Sequence, residues 1–175
     1  MSVGVVFETH ATSEDNENGI ATGWLPGRLS AAGREQARAL GERRRDDGLS
    51  VVFTSGLGRA VETAEIAFAG SALPVVADQR LRECNYGELN GTPEQLNDRA
   101  AHIDVPYPGG ESWRQAAQRV AGFLEELRSE RDGERVLVIG HSATWLGLEV
   151  VGNDRELEHL VGAPLTWQPG WEYLL

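Results

Sequence analysis

Two apolar segments, at positions 3–8 and 135–140, each end within two residues of a histidine, His10 or His141. A short continuous apolar segment is typical of a strand that is buried on both faces of a parallel sheet. Ligands of open α/β sheets bind beyond the carboxyl ends of the strands. We therefore expect the two imidazoles to meet in one crevice. The alternative for each histidine is that it is an ordinary polar residue at a strand end.

The rest of the chain alternates between strand and helix patterns. Further strands are predicted at 49–54, at 73–77 and, as a closing edge strand, at 171–175. Helices are predicted at 30–46, at 57–68, from Ser112 onward with a capping box completed by Gln115, and at 143–151. Segments 14–27 and 84–110 are predicted to be loops, because they are rich in glycine, proline and polar residues. This order predicts one α/β domain over residues 1–175, with three layers in which helices cover both faces of a mainly parallel sheet.

The composition narrows the classes of function. The 175 residues carry a net charge of −11, which argues against nucleic acid as a partner because proteins that bind it usually present a basic face. No apolar segment approaches the ~20 residues that span a membrane, and no signal peptide is visible, so we expect a cytoplasmic protein without a membrane partner. Cys84 is the only cysteine, which excludes an internal disulfide and a cysteine zinc cluster. All 16 Lys-plus-Arg residues are arginine, so an anion site must use arginine, histidine or backbone N–H groups.

Four short clusters of polar residues could carry chemistry. The first two suit a nucleophile and an anion site. His10 enters a polar loop together with Asn16; a neutral histidine can attack an electrophile, and an asparagine amide can donate to an oxyanion. Local side-chain-to-backbone bonds are the ordinary use of such a loop. Arg59 lies in segment 54–63, between a strand and a helix, where a guanidinium and helix N–H groups suit a phosphate. The alternative is a simple ion pair between Arg59 and Glu62.

The other two clusters offer an acid and a second anion site. Glu83, within segment 80–87, can serve as a general acid or base, although a surface glutamate is the commoner explanation. His141 is followed by Ser142, which could begin a helix whose N–H groups face an anion. The alternative is that Gly140 simply ends the strand.

The order of these clusters resembles the histidine phosphatase superfamily, also called the phosphoglycerate mutase-like family, through nearly the whole chain. The family motif Arg-His-Gly-Glu-Thr-x-x-Asn matches Thr9-His-Ala-Thr-Ser-Glu-Asp-Asn16. Later family segments are similar to Gly23-Trp24, Leu29-Ser-Ala-Ala-Gly-Arg-Glu-Gln-Ala37, Thr54-Ser-Gly-Leu-Gly-Arg59-Ala-Val-Glu-Thr-Ala64, Leu81-Arg-Glu83-Cys-Asn-Tyr-Gly87 and Gly109-Gly-Glu-Ser112, followed by the strand that leads to His141.

The resemblance implies a metal-independent phosphatase that needs no cofactor and acts on a small phosphomonoester. His10 would be the nucleophile that forms a phosphohistidine, Arg59 and His141 would hold the phosphoryl oxygens, and Glu83 would protonate the leaving oxygen and then activate water. The binding positions that it implies are Thr9, Asn16, Thr22, Gly23, Arg59 and Ser142. Because phosphoryl transfer depends mainly on positioning and charge stabilisation, these roles are chemically consistent.

Position 9 departs from the family motif. Thr9 stands where the motif has an arginine, and Ala11 and Thr12 replace its glycine and glutamate. Losing one guanidinium removes charge-assisted hydrogen bonds of ~1.5–3 kcal/mol each. Arg28 and Arg82 are the candidate replacements. The polar residues around His10 favour a redirected site, which acts on a different substrate, over a site that has lost its activity.

Three other functions stay open from the sequence. A catalytically silent protein of the same fold would bind a phosphate ligand without turnover. A phosphotransferase of the phosphoglycerate mutase type is disfavoured by the compact chain. A metal-dependent hydrolase would use His10, Asp15, Glu83 and His141 as ligands, although no closely spaced ligand pair supports it.

Segment 84–110 is expected to cover the pocket. Trp24, Tyr86 and Tyr107 are candidate walls that could stack on a sugar or a base, and core packing is the equally good alternative. Besides the small-molecule substrate, a homodimer is the only partner that we expect.

Overall fold

A five-stranded sheet forms the centre of the protein, which a computed structural model describes over residues 2–163 and 165–175. In chain order, the strands are β1 (Gly4–Thr9), β2 (Ile20–Ala21), β3 (Val51–Thr54), β4 (Val75–Ala77), β5 (Thr92–Pro93), β6 (Arg135–Gly140) and β7 (Trp171–Leu174). The α-helices are α1 (Glu14–Glu17), α2 (Ala31–Arg44), α3 (Gly58–Ala67), α4 (Trp113–Glu130), α5 (Ser142–Asn153) and α6 (Leu157–Val161). Four 3-10 helices lie between β4 and α4: Gln79–Leu81, Gly87–Leu89, Glu94–Leu96 and Arg99–His102.

The main sheet has the strand order β4-β3-β6-β1-β7. All neighbouring pairs are parallel except β1 with the edge strand β7. Parallel pairs require long crossover connections, which the helices supply. β2 and β5 pair separately as a small antiparallel sheet. The predicted α/β fold with a mainly parallel sheet is confirmed, including the closing edge strand.

Side chains alternate between two cores on opposite faces of the sheet. Val5 and Phe7 of β1 belong to the core that α4 and α5 complete, whereas Val6 belongs to the core that α2 and α3 complete. β6 alternates in the same way, with Val136 in the first core and Leu137 in the second. This period of two follows from the strand geometry, and it gives the three layers that the sequence predicted.

The loop that follows β1 is fixed against the start of α2. Ser30 caps the helix by accepting a hydrogen bond from the N–H of Gly33 at 3.1 Å. The backbone N–H of Ser30 donates to the carbonyl of Thr12 at 3.0 Å. A Cβ at position 33 would lie only 1.9 Å from the oxygen of that carbonyl, so glycine alone allows this approach. The position of the loop after His10 is thereby set by α2.

The prediction of a loop at 14–27 is wrong for part of that segment. Ser13 and Asn16 form a capping box, in which the N–H of Asn16 donates to the Ser13 hydroxyl at 3.1 Å and the N–H of Ser13 donates to the Asn16 amide oxygen at 3.0 Å. These bonds stabilise the single turn of α1. β2 follows, and its pairing with β5 ties the segment to the other predicted loop at 84–110.

Other boundaries differ from the predictions by one or two residues. β3 and β4 each begin two residues later than expected, at Val51 and Val75. The predicted caps at Ser30 and Ser112 are confirmed. The short helix α6 was not predicted, because its five residues are too few to show a helical period. Within the part of the chain that the structure describes, no helix has the length and apolar character needed to cross a membrane.

Candidate active site

The register between β1 and β6 brings the two strand-end histidines together. Thr9 pairs with Gly140 at the end of the ladder, and the N–H of His10 donates to the carbonyl of Gly140 at 2.9 Å. A histidine comes directly after the last residue of each of these two strands. The ring centroids of His10 and His141 lie 5.0 Å apart. The expected meeting of the two imidazoles is therefore confirmed.

His10 is held with one ring nitrogen free of a proton. Its Nδ1 lies 2.7 Å from the carbonyl oxygen of Ala11. A carbonyl oxygen can only accept, so Nδ1 carries the proton and Nε2 has a lone pair, which accepts from Arg59 Nε at 3.3 Å. Burial and the Arg59 charge lower the pKa of His10 to about 3, although the Ala11 carbonyl acts in the opposite direction. The ring is uncharged near neutral pH, as a nucleophile requires.

His141 is enclosed and has one nitrogen without a partner. Its side chain is 2% exposed, and its Nε2 lies 2.7 Å from the Ser55 hydroxyl. Its Nδ1 has no hydrogen-bond partner among residues 2–163 and 165–175. Burial lowers the pKa of His141 well below its ordinary value, and the charges of Arg59 and Arg119 lower it further. An unpaired buried polar atom costs ~1–3 kcal/mol, a cost that a bound oxygen would remove.

Arg59 is a buried cation that backbone carbonyls hold at the start of α3. Its Nη1 donates to the carbonyl of Leu25 at 2.8 Å and its Nη2 to that of Gly23 at 2.9 Å. The alternative of an ion pair with Glu62 is wrong, because Glu62 pairs with Arg34 instead. No carboxylate in the described part of the chain forms an ion pair with Arg59, so its charge is available to an anionic ligand.

The carboxylate of Glu83 lies against the N-terminus of α5. One carboxylate oxygen accepts from the N–H groups of Cys84 at 2.9 Å and Ala143 at 3.0 Å, and the other accepts from the N–H of Ser142 at 3.2 Å. A helix N-terminus favours such a negative group. The expectation that these N–H groups face a free anion is therefore wrong, because a carboxylate of the chain itself already occupies them.

A cavity of about 450 Å³ lies among these side chains. All of the site residues predicted from the sequence line it: Thr9, His10, Asn16, Thr22, Gly23, Arg59, Glu83, His141 and Ser142. Asn16 uses its amide oxygen in the cap of α1, so its amide N–H group is what remains for a ligand. The hydroxyl of Thr22 donates to Asp15 at 2.8 Å.

Two charged lining residues, Glu94 and Arg99, were missed by the sequence reasoning. Both come from segment 84–110, as does Tyr86, which lines the cavity as predicted. Arg99 is the only arginine of that segment, and in a chain without lysine this was the available signal. Of the three aromatic candidates, Trp24 and Tyr107 do not line the cavity. Tyr107 is buried, and its hydroxyl donates to Asn97 at 2.5 Å.

The two arginines that the sequence suggested as replacements lie outside the cavity. Arg28 is exposed and pairs with Glu14 at 2.6 Å. Arg82 stacks on Trp24, with its guanidinium carbon 4.9 Å from the ring centroid. Neither side chain is placed to bind a ligand beside His10.

Residues 2–163 and 165–175 contain no group of three or more histidine, cysteine, aspartate or glutamate side chains placed to hold a metal ion. Of the four ligands considered from the sequence, Asp15 accepts from a threonine hydroxyl and Glu83 accepts from three backbone N–H groups. The metal-dependent alternative therefore lacks a ligand set in the described part of the chain.

Comparison with known proteins agrees with the order of the motifs. A family model described as the histidine phosphatase superfamily (branch 1) matches residues 5–148. A 2,3-bisphosphoglycerate-dependent phosphoglycerate mutase of Rhizobium meliloti (strain 1021) is 34% identical over 191 residues, covering 96% of this chain and 90% of that protein. A protein of the same name from Methylobacterium sp. (strain 4-46) is 33% identical over 178 residues, covering 92% and 86%.

Solved structures show the same fold. Bacillus stearothermophilus YhfR superposes with a TM-score of 0.85 at 27% identity, covering 98% of this chain and 90% of that chain. The mycobacterial glucosyl-3-phosphoglycerate phosphatase superposes with a TM-score of 0.82 at 23% identity, covering 92% and 87%. The second likeness supports the fold alone.

Proposed function

The chain belongs to the histidine phosphatase superfamily, and from this membership we propose that it is a phosphohydrolase that cleaves a small phosphomonoester through a phosphohistidine on His10. One observation carries the proposal. The uncharged ring of His10 has its Nε2 lone pair beside the buried guanidinium of Arg59, and both residues line the same cavity.

In the first half-reaction, His10 Nε2 forms a bond to phosphorus while the bond from phosphorus to the leaving oxygen breaks. Arg59 and the unpaired Nδ1 of His141 hold the phosphoryl oxygens, and Glu83 delivers a proton to the leaving oxygen. The covalent step replaces one difficult displacement by two easier ones. Fixed donors around the phosphoryl group supply the charge stabilisation.

In the second half-reaction, water attacks phosphorus and the bond to His10 breaks. Glu83 takes the proton of that water, and inorganic phosphate leaves. Each group returns to its starting state without a metal ion or a cofactor.

Thr9, in place of the arginine of the family motif, is proposed to redirect the site. Thr9 lines the main cavity and also a second cavity of about 630 Å³ beside Trp167. An arginine here would fill space that a substrate can use. We expect Thr9→Arg to lower kcat/KM for the best substrate by tenfold or more, and unchanged kinetics would mean that position 9 does not face the substrate.

Mutase activity is the second candidate, because the relatives that are 33% and 34% identical bear that name. The compact chain does not argue against it, since this chain covers 86% and 90% of those relatives. The charge of the cavity does argue against mutase activity. Its charged lining side chains are two cations and two anions: Arg59, Arg99, Glu83 and Glu94. A bisphosphoglycerate carries two phosphates and a carboxylate, which this lining would not neutralise.

The test is phosphate release from a panel of phosphomonoesters, with and without a chelator. We expect metal-independent release that His10→Ala abolishes, and an acid-labile phosphoenzyme in the unmutated protein. His159→Ala is the matched control, since His159 is exposed and does not line the cavity. Full activity of His10→Ala would refute the proposal. Conversion of 3-phosphoglycerate to its isomer without phosphate release would favour the mutase, and binding without any product would favour the silent alternative.

A further inference from the structure

Arg119, on helix α4, holds the main chain of the segment that carries Glu83. Its Nη1 donates to the carbonyls of Arg80 and Arg82, and its Nη2 donates to the carbonyl of Glu83, each at 2.8 Å. The donors of a guanidinium lie in one rigid plane, so the three carbonyls are kept at a fixed spacing. One side chain therefore sets the course of the main chain from position 80 to position 83.

The guanidinium of Arg119 is itself fixed by Glu111. Its Nε donates to the two carboxylate oxygens at 3.1 and 3.2 Å, and its Nη2 donates to the same carboxylate. That carboxylate also accepts from the backbone N–H of Asn85 at 3.0 Å, on the far side of Glu83. The side chains of Arg119 and Glu111 are only 18% and 17% exposed. The Arg119–Glu111 pair thus holds the chain both before and after Glu83 through charge-assisted hydrogen bonds.

The main chain at Glu83 has to be placed accurately, because its carboxylate serves a proton transfer in the proposed reaction. A group that delivers a proton must come within ~2.6–3.2 Å of the oxygen that receives it. The carboxylate reaches the N–H groups of Ser142 and Ala143 at 3.2 and 3.0 Å. Trp24 supports the same position, since its Nε1 donates to the Glu83 carbonyl at 2.7 Å. A shift of the main chain at position 83 would move the carboxylate away from the leaving oxygen.

We propose that Arg119 is a positioning residue that keeps the carboxylate of Glu83 in place for proton delivery, so that cleavage of esters of ordinary alcohols depends on it. This inference rests on the proposed phosphomonoester hydrolysis through His10. Arg119 does not line the cavity, and it therefore acts on the reaction through Glu83. An alkoxide leaves phosphorus only with the help of a proton, whereas an acidic phenol leaves as a stable anion. Cleavage of an ester of such a phenol is accordingly expected to need Arg119 far less.

The test compares kcat/KM for benzyl phosphate and 4-nitrophenyl phosphate, two aromatic esters of similar size. Only the benzyl ester needs a proton on its leaving oxygen. We expect Arg119→Gln to lower kcat/KM for benzyl phosphate by about a hundredfold, within the range that general acid catalysis contributes, and that for 4-nitrophenyl phosphate by less than about threefold. Glu83→Gln defines the full effect and should change the ratio of the two values at least as much. Arg119→Lys keeps the charge without the planar fork and should give an intermediate ratio.

Arg114→Gln is the matched control, because Arg114 lies on the same helix and pairs with Asp104 and Glu158 instead. It should leave the ratio unchanged. Glu111→Gln removes the carboxylate that fixes Arg119 and should shift the ratio in the same direction as Arg119→Gln, by a smaller factor. If urea unfolding shows that Arg119→Gln is not folded, Glu111→Gln and Arg119→Lys decide the question. An equal loss for both esters in the folded variants would indicate a purely structural role and would overturn the inference.

Amide hydrogen exchange, measured by NMR, gives a readout that does not depend on activity. The carboxylate of Glu83 protects the N–H groups of Ser142 and Ala143. We expect both to exchange at least about tenfold faster in the folded Arg119 variants and at an unchanged rate in Arg114→Gln. Unchanged exchange in the Arg119 variants overturns the inference. If the unmutated protein released phosphate from neither ester, the hydrolase proposal would fail, and the exchange rates would still decide whether Arg119 positions Glu83.

Discussion

Lowering the pH from 7 to 5 is expected to destabilise the protein through His10. Burial and Arg59 lower the pKa of this ring from 6.5 to about 3. Between these two values the unfolded chain binds a proton that the native protein does not, so stability falls as the pH decreases below 6.5. Each pH unit costs about 1.36 kcal/mol, and the fall from pH 6.5 to pH 5 therefore amounts to about 2 kcal/mol from His10 alone. His141 acts in the same direction.

The assay is urea unfolding at pH 7 and pH 5 for the unmutated protein and for His10→Asn. Asparagine does not titrate, so the loss of stability between the two pH values should be smaller by about 2 kcal/mol in the variant. Contributions from other groups cancel in this difference. His159→Asn is the control and should lose as much stability as the unmutated protein. An equal loss in His10→Asn would refute the conclusion that the fold keeps His10 uncharged.

Four further outcomes are expected. Gly33→Ala should destabilise the protein by ~1–3 kcal/mol in urea unfolding, because the new methyl group meets a backbone carbonyl. Gly122→Ala should instead stabilise it by ~0.5–1 kcal/mol, since no side chain and no other segment of the described residues lies within 4 Å of that Cβ position in the helix. Ser55→Ala removes the partner of the His141 ring and should lower kcat by about tenfold, equivalent to about 1.4 kcal/mol of lost positioning, whereas unchanged kcat would contradict that role. Burial raises the pKa of the Cys84 thiol, so a thiol reagent should modify it only after unfolding, and rapid modification of the native protein would contradict this.

The parts of the site that sequence reasoning located are those with a local signal. The apolar segments identify β1 and β6, and their carboxyl ends share one edge of a parallel sheet, so the meeting of His10 and His141 followed from general rules. The helix caps at Ser30 and Ser112 could likewise be predicted, because a few adjacent residues determine each cap.

Contacts between distant segments gave no such signal. Glu83 binds the N–H of Ala143, a residue 60 positions later, and no periodic pattern connects the two. The resemblance located Glu83 but not its place on the helix N-terminus. Arg99 was missed because the course of a loop-rich segment across a cavity depends on packing against Trp113, which only the folded chain specifies.

The pairing of β1 also bears on how the chain acquires its fold during synthesis. β1 is made before the other strands of the sheet, yet its partners β6 and β7 follow only at positions 135–140 and 171–174. Until they leave the ribosome, β1 has two unpaired edges and exposed apolar faces, the condition in which nascent chains associate wrongly. Contacts so distant along the chain also slow folding. A nascent chain that stops short of position 135 therefore holds His10 without His141, and β1 stays without its neighbours until β6 has been made.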